Sequence, residues 1–244
     1  QPPLSQRSQS RQTITRHILF DMGSQTMKII IIVPAYNESR FIGKFLDKLL
    51  LVTKQVVVVD DGSSDKTCEI AKNKGADCLL HMVNLGKGAA LKTGCNYAFK
   101  KLGADAVIIM DGDDQHVVED IKLFERELKK GASVVLGVRQ MDAKMPLMRI
   151  LGNKGMSILI NLLFGHYIAD IPSGFKAMTK TAYKTLEWYS SGYEVETEIA
   201  VRIAKSKLNY VEVPISTVYH DKDYGFNLLD AGKILLKLPH WLWS

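Results

Sequence analysis

Asp111 and Asp113 come directly after the apolar run Val107-Ile-Ile-Met110, and Gln115 and His116 follow them. An extended backbone repeats every two residues, so positions 111, 113 and 115 can lean toward one side. Two carboxylates and an amide oxygen then converge at the carboxyl end of a buried strand. Hard oxygen donors in that number suit Mg²⁺ or Mn²⁺, ions that also hold substrate phosphates. A bare pair of this kind also occurs in acidic surface turns. What separates the two cases is the rest of the chain.

The elements that must position these residues alternate regularly from Lys28 onward. Ile29 to Val33 is an apolar strand ended by Pro34, and Phe41, Ile42, Phe45, Leu46, Leu49 and Leu50 recur at helical spacing. Val56 to Val59 is a second buried strand, closed by Asp60-Asp-Gly-Ser-Ser-Asp65 and followed by a helix to about Lys74. Asp77 to Leu80 is a short strand, Gly88 to Leu102 a helix, 106–110 the strand before the acidic pair, Val118 to Lys130 a helix, and Ser133 to Gly137 a strand. Such alternation predicts an α/β fold whose sheet is mainly parallel and flanked by helices. Ligands of these sheets bind outside the carboxyl ends of the strands. The polar clusters fall at those ends: Tyr36-Asn-Glu38, Asp60-Asp61, Asp111 to Gln115, and Arg139.

Composition narrows the class. The chain has 244 residues, 46% hydrophobic and 24% charged, with a net charge of +6. That is ordinary globular material for one large domain or two small ones. The mild basic excess favours anionic partners, but no Lys/Arg run or DNA-binding signature points to nucleic acid. Cys68, Cys78 and Cys95 lack metal-ligand spacing and fit reduced core residues of a cytosolic protein. Residues 1–26 are rich in Gln, Ser and Arg without clear periodicity, and are expected to be a leader, a tag or a disordered segment.

Two common nucleotide folds are excluded. The first strand leads into Pro34-Ala-Tyr-Asn-Glu38, where a dinucleotide-binding fold needs GxGxxG, and no GxxxxGK[ST] loop is present. A sugar-nucleotide pyrophosphorylase would want a Gly-rich basic loop at the same place. A nucleotide-and-metal site built from carboxylates remains.

Six stretches in order resemble the GT-A glycosyltransferases of family 2, in particular the dolichyl-phosphate sugar synthases of the mannose-synthase type. They are Val33-Pro-Ala-Tyr-Asn-Glu38, Val59-Asp-Asp-Gly-Ser-Ser-Asp65, Asn84-Leu-Gly-Lys-Gly-Ala-Ala90, Asp111-Gly-Asp-Asp-Gln-His116, Gly137-Val-Arg139 and Asp170-Ile-Pro-Ser-Gly-Phe-Lys176. The resemblance implies a GT-A catalytic domain over 27–219. It implies that Pro34, Ala35, Tyr36, Glu38, Asp60 and Asp61, with Lys87, Asp111 and Gly112, bind a nucleotide-diphosphate sugar (GDP- or UDP-linked). Asp111, Asp113 and Gln115 would hold Mg²⁺ or Mn²⁺ on its diphosphate. Asp113, Arg139 and Asp170 are the implied catalytic group, with Arg139 on the acceptor phosphate. The implied reaction is inverting transfer of mannose, glucose or an N-acetylhexosamine to dolichyl or polyprenyl phosphate.

The chemistry suits those residue types. The anomeric carbon passes through an oxocarbenium-like state as the nucleoside diphosphate leaves, and a divalent cation stabilises the charge on the leaving group. A lipid monophosphate is largely ionised at pH 7, since its second pKa is about 6. It needs cations to steer it rather than a strong base, and a guanidinium can bind two of its oxygens. A saccharide hydroxyl acceptor would instead need a carboxylate base, for which Asp170 is the candidate. A sugar-nucleotide sensor without turnover is a third possibility, opposed by the intact metal motif.

Met145 to Phe164 is the most apolar segment outside the site, with Arg149 and Lys154 as its charges. Interruption by Arg, Lys, Asn and Gly makes spanning a bilayer a poor fit. The alternatives are a buried core helix and a helix over about 145–165 lying in the membrane surface. The resemblance implies the second, with Lys154 and Ser157 near the lipid phosphate. Glu196 and Glu198 stand where a helix begins, and their expected roles divide between capping and contact with the sugar or metal site. His116 is expected beside the substrate or behind it, and His81 as structural. Tyr219 to Asn227 replaces the Arg-x-x-Gly-x-Ser-Lys type of loop common in mannosyl members, with Lys222 as the substitute cation. Residues 220–244 end in Pro239-His-Trp-Leu-Trp243 and are expected to form an amphipathic, membrane-proximal segment on the cytosolic face, with a helix packed on the body as the alternative.

Overall fold

The computed structural model describes residues 27–140 and 147–218, the stretch 147–151 as backbone only. The expectations for 1–26, for Tyr219 to Asn227 and for 220–244 lie outside the described residues.

Seven strands form one sheet in the order β3-β2-β1-β4-β6-β5-β7. The strands are β1 (Ile29–Ala35), β2 (Val56–Asp60), β3 (Asp77–Leu80), β4 (Ala106–Ile109), β5 (Val134–Arg139), β6 (Lys176–Thr179) and β7 (Tyr210–Ile215). Helices α1 (Ile42–Val52), α2 (Thr67–Asn73), α3 (Lys87–Lys100), α4 (Ile121–Lys129), α5 (Leu147–Phe164), α6 (Lys180–Leu186) and α7 (Val195–Lys205) connect or flank them. Every described pairing is parallel except those of β6, which runs antiparallel to both β4 and β5. The expected mixed, mainly parallel α/β sheet is therefore present.

β1, β2 and β4 are runs of Ile and Val because both of their faces are covered. One apolar cluster includes Ile30, Ile32, Val57 and Val59 with α3 and α7; the other includes Ile31, Val33, Val56 and Val58 with α1 and α4. In α1, Ile42, Phe45, Leu46, Leu49 and Leu50 are buried at helical spacing. Each such side chain contributes about 1.5–3 kcal/mol on burial.

β1 continues through Pro34 to Ala35, two residues past the expected end, pairing Pro34 with Val59 and Ala35 with Asp60. Its pairing with β4 ends at Ile32–Ile109, so the missing N–H of Pro34 falls where the β4 ladder has already stopped. The chain runs from β1 outward to β3 on one side, then returns to place β4 on the other. The crevice outside the ends of β1 and β4 is thus a topological switch point, where α/β sheets bind ligands.

Candidate active site

At the mouth of that crevice, the loops after β1 and β2 are laced together. Asn37 takes a left-handed conformation (φ 56°), its side-chain oxygen accepts from the Ser64 amide at 2.9 Å, and its own amide donates to Ser63 Oγ at 2.9 Å. The Glu38 amide donates to Thr67 Oγ1 at 2.9 Å, and Asp60, buried, accepts from the Ser63 amide at 2.8 Å. Tyr36 stands exposed at the rim, and Pro34 and Ala35 lie buried behind it.

Asp61, expected on base or ribose, faces the turn that leads into α3. It is buried, and its two oxygens accept from the Leu85 and Gly86 amides at 3.0 and 2.7 Å. His81 bridges it to Thr93, at 2.7 Å from Asp61 and 2.9 Å from the Thr93 hydroxyl. The carboxylate is spent on shaping the turn that leads into α3, and His81 is structural as expected.

That turn delivers Lys87. A Cβ on Gly86 or Gly88 would run into the carbonyls of Ser191 and Ser190, so only glycine lets α3 begin this close to the 188–192 turn. Glu198 fixes the turn from behind, accepting from the Tyr189 and Ser190 amides at 2.9 and 2.7 Å and from Arg202 Nε at 2.8 Å. Lys87 Nζ then lies 2.7 Å from Asp111 and 2.9 Å from Glu196. Glu196 and Glu198 both lie in the first turn of α7, where acids suit the helix dipole. Glu196 also reaches Lys87, while Glu198 holds the 188–192 turn.

Asp111 projects past β4 with its carboxylate against Gly174, where a Cβ would overlap it, and with His116 Nε2 at 3.7 Å. Gly112 packs on Val33 and Ile42. Asp113 accepts from the Gln115 amide at 3.1 Å, and Gln115 is half-buried beside it. Asp114 turns away with φ 60° and pairs with Lys48 at 2.6 Å, so the third acid of the run anchors α1. The loop is pinned to the far strand: Val218 donates to the Gln115 carbonyl at 2.9 Å, and His116 bridges to Thr217.

The acids repel one another. Burial, then Asp113, Asp111 and Asp65, push Glu38 up to about 7. Burial and Asp111 raise Asp113 as well. Burial works against Asp111 too, but Lys87 and His116 outweigh it and hold that carboxyl well below the usual range. Burial opposes the Lys87 charge, yet Asp111 and Glu196 raise its pKa overall. Tyr193, which the sequence did not single out, is exposed at the rim, and its phenol is raised by partial desolvation and by the field of Asp111, Glu38 and Asp113 against that of Lys87.

On the other side of the site, Arg139 at the end of β5 is gripped by Asp170, whose second oxygen also accepts from Asn153 Nδ2 at 2.9 Å. Burial would raise Asp170, but the Arg139 bonds and charge bring it below its ordinary value. Lys154 is exposed on the next residue of α5. Ser157, expected near a lipid phosphate, follows one turn after Asn153. It is buried, and its hydroxyl donates to the Asn153 carbonyl of its own helix at 3.0 Å.

The donor set fits a divalent cation. Among the described residues no three His, Cys, Asp or Glu side chains form a ligating group. Asp111 and Asp113 with the Gln115 amide match instead an ion that takes one or two carboxylates and completes its shell with phosphate oxygens. The excess negative charge registered by Glu38 and Asp113 is what such an ion would neutralise.

A mixed, mainly parallel sheet carrying this acid pair at its switch point defines the GT-A class of glycosyltransferase. The profile of the Glycosyl transferase family 2 matches residues 30–186, and the chain belongs to that family. It is 33% identical over 237 residues to the UDP-N-acetylglucosamine–dolichyl-phosphate N-acetylglucosaminyltransferase of Methanococcus voltae, covering 86% of this chain and 94% of that one. It is 30% identical over 223 residues to a dolichyl-phosphate beta-glucosyltransferase of Trichomonas vaginalis, covering 81% and 67% of the two chains. Among solved structures, glucosyl-3-phosphoglycerate synthase from Mycobacterium tuberculosis, in complex with Mn²⁺, UDP-glucose and phosphoglyceric acid, superposes with a TM-score of 0.71. It is 18% identical, covering 89% of this chain and 80% of that one, a likeness of fold.

Proposed function

We propose that this family 2 glycosyltransferase moves a sugar from a nucleotide diphosphate to a polyprenyl or dolichyl phosphate, with inversion at the anomeric carbon. The observation that carries the reading is the Arg139–Asp170 clamp. Asp170 has both oxygens engaged and its carboxyl held low, a poor arrangement for taking a proton from a saccharide hydroxyl. Arg139 at the strand end and Lys154, exposed on α5 one residue after Asn153, instead offer guanidinium and ammonium donors to an acceptor that is already an anion. The dolichyl-phosphate transferases among the relatives support the same acceptor.

Each part of the chain then has a task. The laced loops with Pro34, Ala35, Tyr36, Glu38 and Asp60 hold base and ribose, and Asp61 keeps the Lys87 turn in place. Asp111, Asp113 and Gln115 would hold Mg²⁺ or Mn²⁺, which when bound stabilises charge on the departing diphosphate. Lys87 adds a second positive charge beside Asp111. Arg139, oriented by Asp170, aims the acceptor phosphate at the face opposite the leaving group. The phosphate oxygen forms the new bond as the bond to the diphosphate breaks, and no proton needs to be removed.

A peripheral seat on the cytosolic face of a membrane suits this acceptor. No described helix is long and apolar enough to cross a membrane. The outer face of α5 carries Lys154, Ile158, Leu162 and Leu163 in exposed positions, while Ser157 and Ile160 face the core. A cation followed by an apolar stripe is the pattern of a helix lying in the headgroup region.

The test is incubation with a panel of UDP- and GDP-sugars, Mn²⁺ and a short polyprenyl phosphate, followed by mass spectrometry of the lipid. One donor should give a lipid heavier by one sugar residue. Measurable nucleotide affinity with no glycosylated lipid from any donor would overturn the proposal.

A further inference from the structure

Asp111 sits in a closed circuit of contacts. Lys87 joins it to Glu196, at 2.7 and 2.9 Å, and the other oxygen of Glu196 pairs with Lys176. Lys176 Nζ also donates to the backbone carbonyls of Ser173 and, at 3.4 Å, Ile171. Those carbonyls belong to the turn whose Gly174 presses on the Asp111 carboxylate. The path therefore leaves Asp111 through Lys87 on α3, crosses Glu196 on α7 and Lys176 on β6, and returns to Asp111 through the 171–174 turn. Glu196 and Lys176 are both buried.

Stability alone is a weak reason for such an arrangement. Desolvating two full charges costs several kcal/mol, and a well-packed apolar pair often does as well or better. The outer pair has a geometric consequence that an apolar pair would lack. Glu196 holds Lys87 against one side of Asp111, and Lys176 holds the turn against the other. The four charges also sum to zero, so the circuit leaves no uncompensated charge buried beside the crevice.

We propose that Glu196 and Lys176 are positioning residues for the Asp111 carboxylate, fixing it for a divalent cation from both sides. This inference rests on the metal-and-diphosphate reading above. Outer groups that orient a ligand affect metal affinity by about 10- to 100-fold.

The test replaces the outer pair while keeping the circuit neutral, as Lys176→Met with Glu196→Gln. Binding of Mn²⁺ to the full chain is followed by electron paramagnetic resonance without nucleotide, and UDP and GDP are titrated with and without Mn²⁺. The double variant should bind Mn²⁺ about 10- to 100-fold more weakly, while its affinity for the metal-free nucleotide is retained. Lys176→Arg, which keeps the charge and donors, should stay near wild type. Should the double variant not fold, Glu196→Asp carries the same expectation, because its shorter side chain cannot span both lysines. Wild-type Mn²⁺ affinity in the double variant, or in Glu196→Asp where the double variant does not fold, overturns the inference. A wild-type chain that binds Mn²⁺ but glycosylates no lipid would defeat the proposed function alone, leaving this inference to the manganese titration.

Discussion

Arg139 and Asp170 are joined by a two-pronged side-chain contact, Nε to Oδ2 and Nη2 to Oδ1, each 2.8 Å, and by a third bond from the Arg139 backbone amide at 3.0 Å. A fork-on-carboxylate pair fixes the plane of the guanidinium as well as its position. Asp170→Asn keeps the shape and loses the charge. It should raise the KM for the lipid phosphate and lower kcat by roughly tenfold, with donor affinity unchanged, consistent with loss of one charge-assisted bond of about 1.5–3 kcal/mol. Initial rates against lipid concentration check this. A collapse of kcat with lipid KM unaltered would instead assign Asp170 as a proton acceptor.

The metal-free chain should lose stability as the pH rises toward neutrality. Glu38 titrates near 7 in the folded chain against an ordinary value of 4.5, raised by burial and by Asp113, Asp111 and Asp65. Between those values the folded state holds a proton that the unfolded chain has released. Its contribution is therefore fully present below 4.5 and lost as the pH passes through about 7. Thermal melts in EDTA should show Tm declining across that window. Glu38→Gln, which cannot ionise, should flatten the decline.

Much of this arrangement was legible in the residue order. The Ile and Val runs of β1, β2 and β4 are too apolar for anything but buried strands, and the polar clusters at their ends marked the site. β6 was not legible. Lys176–Thr179 is only four residues long and opens with a lysine, and its place between β4 and β5 depends on partners distant in the chain. For the same reason Lys176 and Glu196 carried no signal as a pair, since 20 residues and an intervening helix separate them. The bond of Ser157 to the Asn153 carbonyl was not legible either, because a helical serine can bond its own backbone as easily as a ligand. Adjacent acids look alike in sequence, so the bonds of Asp61 to the Leu85 and Gly86 amides were not legible there.

Gly174 should tolerate no side chain. A Cβ there would overlap the Asp111 carboxylate. Gly174→Ala should displace that carboxylate and reduce kcat/KM by roughly 100-fold, the scale on which a misplacement of about 1 Å in an active site is felt. Gly155 on α5 is exposed, with open space around its Cβ position among the described residues. Gly155→Ala should stabilise the chain by roughly 0.5–1 kcal/mol through helix propensity. Paired denaturation and rate measurements distinguish the two substitutions.

The exposed face of α5 should govern membrane attachment separately from folding. Ile158 and Leu162 lie one turn apart and outside the core. Leu162→Asp should weaken sedimentation with vesicles containing anionic lipid, and turnover of membrane-embedded lipid phosphate with it. Turnover of a short, water-soluble polyprenyl phosphate should stay unchanged. Equal loss on both acceptors would show that the helix face serves the fold or the site instead of the membrane.

The grip of Asp111 and Asp113 on a divalent cation beside a diphosphate is tested most directly by a crystal structure with Mn²⁺ and UDP or GDP. Anomalous scattering should place one manganese ion in contact with both carboxylates and with oxygens of the diphosphate. Nucleotide bound in the crevice with no manganese at those carboxylates, or with the two side chains facing apart, would contradict the account.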